Sequence, residues 1–246
     1  MLLSAIILRL KTSTHKCCNA IELFYLVCYT LAMKTLYWVG GIFVVLVGLI
    51  FIFSGSSATI SPPLEIDKIN PHDHVEGNAS STVVIIEYAD FQCPACRSYY
   101  PVVKQMVSEF GPKVAFVFRH YPLTQHLNAE LAARAAEAAG LHGKFWGMHN
   151  LLYEKQDEWA DKSDFLPLFE SYTLLLGISK DQFDADFNSK AVKDFVRAER
   201  SYGNSIGIQG TPTFYINGNK IGNPQSPEAF RLLIQQALDN KPTEAK

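Results

Sequence analysis

Cys93 and Cys96 form a single C-x-x-C in the run Phe91-Gln92-Cys93-Pro94-Ala95-Cys96, and they alone of the five cysteines follow a long apolar stretch that ends at Phe53. Cys17, Cys18 and Cys28 precede that stretch. A disulfide between neighbours three apart closes too small a loop to restrict the unfolded chain much, so reactivity explains the pair better than stability. If the run lies where a strand hands over to a helix, Cys93 occupies the helix N-terminus. Backbone N–H groups then point at its sulfur and favour the thiolate. The helical turn brings Cys96 back toward Cys93 while burying it deeper, which leaves Cys93 exposed to attack and Cys96 to resolve.

A structural zinc site is the alternative chemistry for such a pair. It needs two more ligands, and the candidates are His120, His126, His142 and His149. No second C-x-x-C and no H-x-x-x-H accompanies them, so the spacing argues against a metal. Phe145, Trp146, Tyr153 and Trp159 suggest a ligand box, yet their helical setting makes an ordinary core the simpler reading.

Several elements must position the cysteines. Thr82 to Tyr88 is a β-branched run of the kind that is buried on both faces of a sheet, with one carboxylate, Glu87, inside it. After Ala89-Asp90 the period changes to helical, with Val102, Val103, Met106, Val107 and Phe110 on one face, and Gly111-Pro112 ends the run. Pro101 is expected to kink this helix. Val114 to Tyr121 is a second strand, and a strand–helix–strand crossover implies a parallel pair. A helical block follows over 126–204, in which Ser179-Lys180-Asp181-Gln182 has the pattern of a capping box. Thr213 to Ile216, the turn Asn217-Gly218 and Lys220-Ile221 predict a hairpin. Ser226-Pro227 opens a last helix with Phe230, Leu233, Ile234, Ala237 and Leu238 on its apolar face. The domain at 82–240 therefore has the order β-α-β, helical insert, β-β-α, with a tail at 241–246.

The chain is 48% hydrophobic with a net charge of -2, enough for one good core and an appendage without disulfide staples. With 22 Lys and Arg against 24 Asp and Glu, there is no basic excess to neutralise a phosphate backbone, which argues against nucleic acid as a partner. From Leu36 to Phe53 every residue is apolar, glycine or an interfacial aromatic, and as a helix this stretch covers roughly 27 Å. It is predicted as a transmembrane anchor at 36–53. Lys34, Arg9, Lys11 and Lys16 put the N-terminus in the cytoplasm and the rest outside. A cleaved signal peptide with Ser56-Ser57-Ala58 as its site is the alternative, although such apolar regions are usually shorter, about 7–15 residues. Residues 1–35 form an N-terminal segment within which Met33-Lys34 would make an ordinary start for an export signal. The Ser-, Pro-, Asn- and Gly-rich stretch at 54–81 is expected to be a flexible linker.

The order of elements, with Cys-Pro-Ala-Cys at a strand-to-helix junction, resembles the DsbA-like branch of the thioredoxin superfamily. The resemblance covers about Val83 to Leu238. It rests further on the helical insert, on Phe118-Arg119-His120-Tyr121-Pro122-Leu123, and on Gly210-Thr211-Pro212 just before a strand. It implies an α/β, thioredoxin-like fold with a helical insertion, here preceded by a single N-terminal transmembrane helix, and calls for no cofactor. It also implies that the Thr211–Pro212 bond is cis, that Pro212 faces the cysteines, and that Thr211 offers backbone groups to an extended substrate peptide. A plain strand-entry proline is the bland alternative. Glu87 matches the buried acid of thioredoxin-like proteins, with a raised pKa and a proton to relay for Cys96, and Arg119 as a charge partner. An edge position facing solvent is the other reading of that carboxylate. Pro94 and Ala95 tune the redox poise, and Ala95 stands where strongly oxidising members carry His, which predicts a less oxidising pair than DsbA.

The expected activity is thiol–disulfide exchange, with the Cys93–Cys96 disulfide donated to unfolded or partly folded exported polypeptides in the periplasm or extracytoplasmic space. By resemblance, a membrane quinone-linked protein of the DsbB or vitamin-K-epoxide-reductase type reoxidises the pair. Reductase or isomerase activity of the same fold is one alternative. A non-catalytic peptide-binding or chaperone domain, resting on the groove beside Pro212 with Phe91, Tyr99 and Tyr100, is another.

Overall fold

The computed structural model describes Gly41 and residues 65–240. The chain divides into Met1–Ala58 and Thr59–Lys246, and the architecture below belongs to the second unit. The anchor expected at 36–53 lies, Gly41 apart, outside the described residues, as do the segment 1–35 and the tail 241–246. Among the described residues no helix is long and apolar enough to cross a membrane.

Strand β2 (Val84–Ala89) is buried along its whole length, as its β-branched run requires, and lies at the centre of a five-stranded sheet. It pairs in parallel with β3 (Ala115–His120), in a register from Val84↔Ala115 to Ala89↔His120. Helix α1 (Pro94–Phe110) makes the crossover between them and runs through Pro101 as one element. On the other side β4 (Thr213–Ile216) pairs antiparallel with β2, and β5 (Asn219–Ile221) closes that edge. Asn217 and Gly218 both have positive φ, 48° and 76°, as the two-residue turn of a tight hairpin demands. Helix α8 (Pro227–Asp239), capped by Ser226, completes the order.

Strand alternation divides the apolar side chains between two faces. Ile85, Phe116, Phe214 and Ile216 pack with Met106 and Phe110 of α1 and with Phe230 and Ile234 of α8. Val84, Ile86, Tyr88, Ala115, Val117 and Tyr215 form a second cluster with Tyr121 and Ile208 on the opposite face.

Six helices make up the insert between β3 and β4: α2 (Ala129–Gly140), α3 (Phe145–Glu154), α4 (Gln156–Trp159), α5 (Leu166–Leu175), α6 (Lys180–Asn188) and α7 (Lys190–Ser205). The buried alanines of α2 leave room for α3, α6 and α7 to approach it. Ser179 and Gln182 form the capping box that opens α6. The aromatics Phe145, Tyr153 and Trp159 belong to the insert's core, and Trp146 packs against it.

The stretch expected as linker is part of the domain from residue 65 onward. β1 (His74–Gly77) adds an antiparallel edge strand to β3. It holds one apolar residue, Val75, so no alternation marks it in the sequence. Gly77 has φ 87°, and a Cβ there would lie 2.4 Å from the Val114 carbonyl oxygen. Upstream, the segment 65–73 wraps the guanidinium of Arg119. Arg119 donates to both carboxylate oxygens of Asp73 at 2.9 and 2.8 Å, to the carbonyls of Glu65 and Lys68, and to the Tyr88 hydroxyl.

This placement corrects the pairing expected between Arg119 and Glu87. The parallel register sets Glu87 opposite Phe118, and Arg119 opposite Tyr88. With a period of two, Glu87 faces α1 while Arg119 emerges on the other side of the sheet. Its charge is matched there by Asp73, fully buried beside it.

Candidate active site

β2 ends at Ala89, and Asp90 turns the chain toward α1. The Asp90 carboxylate accepts from the N–H of Gln92 at 2.7 Å, an Asx turn, while its carbonyl accepts from the N–H of Cys93 at 3.1 Å. Cys93 is the N-cap residue, with extended φ -70° and ψ 122°, and Pro94 takes the first helical position, where a missing N–H costs nothing. The Cys93 carbonyl accepts the first bond of the helix, from Arg97 N–H at 3.1 Å.

Both cysteines are free thiols. Cys93 is only 6% exposed and Cys96 1%. Cys96 is the deeper of the two, as the helical turn implies, but the expected exposure of Cys93 is corrected. The loop before β4 covers it, and its sulfur lies 3.5 Å from the Thr211 carbonyl oxygen, to which it donates only when protonated. Pro94 and Ala95, on the open side of the same turn, are exposed. The Thr211–Pro212 peptide bond is cis, Pro212 is buried, and Asn223 donates to its carbonyl at 3.0 Å.

The electrostatics of the two sulfurs differ sharply. A hydrogen bond from the Cys96 thiol, reinforced by the N–H groups of Cys96 and Ala95, lowers Cys93 to about 5 against the cost of burial. Burial pushes the Cys96 thiol well above its ordinary range, and the neighbouring Cys93 sulfur and Glu87 raise it further. At neutral pH one sulfur is a thiolate and the other a thiol.

Glu87, 9% exposed on the central strand, is raised to about 8 by burial. It is not the solvent-facing edge residue of the alternative reading. It shares a narrow cavity of about 20 Å³ with Tyr100, Lys104, His149 and Tyr153. His149 is lowered to about 3 by burial among aromatic rings and stays neutral. The Tyr153 hydroxyl is buried and has no hydrogen-bond partner among the described residues.

The four histidines weighed as zinc ligands do not converge. His120 lies 2.7 Å from Glu137, His126 2.6 Å from Asp90 and His142 2.7 Å from Asp186, and His149 lines the Glu87 cavity. Among the described residues no group of three or more His, Cys, Asp or Glu side chains is arranged to hold a metal ion.

Residues that no motif announces complete the surroundings. Asp90 also accepts from Leu123 N–H at 2.9 Å. Gln156, at the start of α4, donates to the carbonyls of Phe91 and Cys93. Gln92 donates to the Ala160 carbonyl and accepts from Asn128 N–H. Of these, Asp90 alone stands at a point the sequence marks, the end of the first strand.

This geometry has counterparts in other chains. A Wolbachia pipientis alpha-DsbA1 structure superposes with a TM-score of 0.61 at 24% identity, covering 70% of this chain and 94% of that one, which is a likeness of fold. A Rickettsia felis protein, provisionally named a protein-disulfide oxidoreductase, is 28% identical over 193 residues, 76% of this chain and 68% of that one. The Na(+)/H(+) antiporter NhaA 3 of Salinispora tropica is 35% identical over 177 residues, 72% of this chain. The chain spans only 26% of that antiporter's length. The family described as Thioredoxin matches residues 69–236, from the segment that wraps Arg119 to the last helix. With the cysteine pair at the head of α1 and the sheet order intact across that match, the chain belongs to the thioredoxin family.

Proposed function

We propose that the chain catalyses thiol–disulfide exchange on exported polypeptides, donating a Cys93–Cys96 disulfide to substrate thiols. The observation that carries this reading is the asymmetry of the pair: Cys93 is held as thiolate at the head of α1 while Cys96 beneath it is held as thiol. A substrate thiolate attacks Cys93 Sγ, the Cys93–Cys96 bond breaks, and Cys96 leaves as a thiolate. Glu87, protonated up to about pH 8, supplies the proton that Cys96 takes up. A second substrate thiolate then attacks the substrate sulfur of the mixed disulfide, and Cys93 departs as a stable thiolate. The substrate dithiol is oxidised to a disulfide and the cysteine pair gains the two electrons.

The direction follows from the same asymmetry, because stabilising the Cys93 thiolate favours the reduced protein and makes its disulfide a better oxidant. Pro94 and Ala95 moderate this, since no histidine between the cysteines adds to thiolate stability. In this reading the apolar stretch at 36–53 anchors the domain on the outer face of the cell membrane. A quinone-linked membrane protein of the DsbB or vitamin-K-epoxide-reductase type takes the two electrons back, and substrate peptide lies along Thr211 and Pro212. The test is disulfide transfer from the oxidised protein to a reduced, unfolded polypeptide, followed by thiol trapping. Transfer faster than from glutathione disulfide, and abolished in Cys93→Ser, supports the proposal. A rate equal to that of glutathione disulfide contradicts it.

A further inference from the structure

The two carbonyls on either side of Gln92 point into the helical insert, where one side chain serves both. Gln156 Nε2 donates to the Phe91 carbonyl at 2.6 Å and to the Cys93 carbonyl at 3.2 Å. Gln156 is 4% exposed, so without this donor the Phe91 carbonyl has no ready access to water, while the Cys93 carbonyl keeps the Arg97 N–H alone. The side chain of Gln92 reaches the same part of the insert, donating to the Ala160 carbonyl at 2.6 Å and accepting from Asn128 N–H at 2.7 Å. Asn128 Nδ2 in turn donates to the carbonyls of Trp159, Ala160 and Lys162. Three side-chain amides thus fasten the turn that follows α4 to the loop that carries the nucleophile.

Favourable bonds from N–H groups to a sulfur are short-ranged and directional, and their strength at Cys93 depends on where that residue's own backbone points. The N–H groups of Ala95 and Cys96 favour the Cys93 thiolate from the head of α1, where Cys93 is held at ψ 122° with its carbonyl accepting from the Arg97 N–H at 3.1 Å. That carbonyl is the one Gln156 grips.

We propose that Gln156 is a positioning residue for the active-site loop: by donating to the carbonyls of Phe91 and Cys93 it fixes the Cys93 backbone so that the first N–H groups of α1 meet the sulfur. The insert is then part of the reactive centre rather than a cover beside it, and the acidity of Cys93 depends on an element outside the βαβ unit. The inference rests on Cys93 being the attacking thiol. Its readout is acidity rather than turnover, so it can fail while the exchange activity stands.

The test uses the full-length chain in its reduced state, with the pH profile of Cys93 alkylation by iodoacetamide as readout. Gln156→Met keeps the length and apolar bulk of the side chain without its donors. It is expected to raise the midpoint by about one pH unit, a tenfold loss of thiolate on the acid side. Phe169→Leu, a cavity-forming change in the insert core that packs on Trp159 of α4 but leaves both Gln156 donor bonds in place, serves as the control for lost stability and is expected to leave the midpoint in place. If Gln156→Met does not fold, Gln156→Asn decides: the amide is retained but one methylene short, and a smaller rise is expected. An unchanged midpoint in the folded Gln156 variant, or an equal rise in Phe169→Leu, overturns the proposal.

Discussion

The sulfur of Cys93 lies 3.5 Å from the carbonyl oxygen of Thr211, across 118 residues of sequence. The helical insert occupies most of that interval, so the surroundings of Cys93 are finished by a loop the chain reaches only after building the other subdomain. Exposure of Cys93 is small for this reason, and its reactivity depends on charge state as much as on access.

Alkylation of the reduced protein should therefore follow an acidic thiol. The Cys93 midpoint is expected near 5, with Cys96 unreactive through neutral pH, measured by mass spectrometry of iodoacetamide adducts at each site. A single midpoint near 8.5 for both, the ordinary cysteine value, would count against the asymmetric pair.

Removing Cys96 should trap the first intermediate. Cys96→Ser is expected to accumulate a mixed disulfide between Cys93 and substrate, visible on non-reducing gels, while Cys93→Ser accumulates none. Equal trapping by the two variants would reverse or blur the assigned roles.

Glu87 offers a test in which stability and mechanism separate. Its folded pKa, about 8, lies above that of an unfolded glutamate, so the folded state binds the extra proton and stability is lost as pH rises from about 4.5 through 8. The stability of Glu87→Gln relative to the wild type should be about 2 kcal/mol or more higher at pH 9 than at pH 5 in denaturant titrations. The same substitution should slow release of Cys96 at neutral pH, read as a lower rate of reduction by a model dithiol. No change in either measurement would leave Glu87 as a passive core residue.

The pairing of Arg119 with Asp73 ties the residues before β1 to the sheet. Asp73→Ala strands a buried guanidinium and is expected to cost about 3–5 kcal/mol, measured by urea unfolding. A loss below about 1 kcal/mol would show that water reaches Arg119 freely.

The sequence made the catalytic half of this fold visible because its signals are local. A β-branched strand, a cysteine pair with proline at the first helical position, a Ser179–Gln182 capping box and an Asn217-Gly218 turn each declare themselves within a few residues, and each stands where it was expected. β1 was hidden, since four residues with one valine give no alternation, and its place at the edge is set by pairing with β3. The pairing of Arg119 with Glu87 fails because opposite charges on neighbouring strands look alike in sequence whichever face they occupy; only the register of β2 against β3 decides it. Gln92, Asn128 and Gln156 were silent for a different reason. Amides carry no charge and follow no period, and their role appears only when the cysteine loop, the residue before α2, and α4 with the turn after it meet in the fold.

The reduction potential of the Cys93–Cys96 pair tests the central claim most directly. The protein is equilibrated in glutathione buffers and the thiol fraction measured by trapping. A disulfide donor with an acidic Cys93 and Pro-Ala between the cysteines is expected to lie between the values of DsbA and glutaredoxins, about -120 and -200 mV. A potential near that of thioredoxin, about -270 mV, would contradict donation and make the pair a reductant.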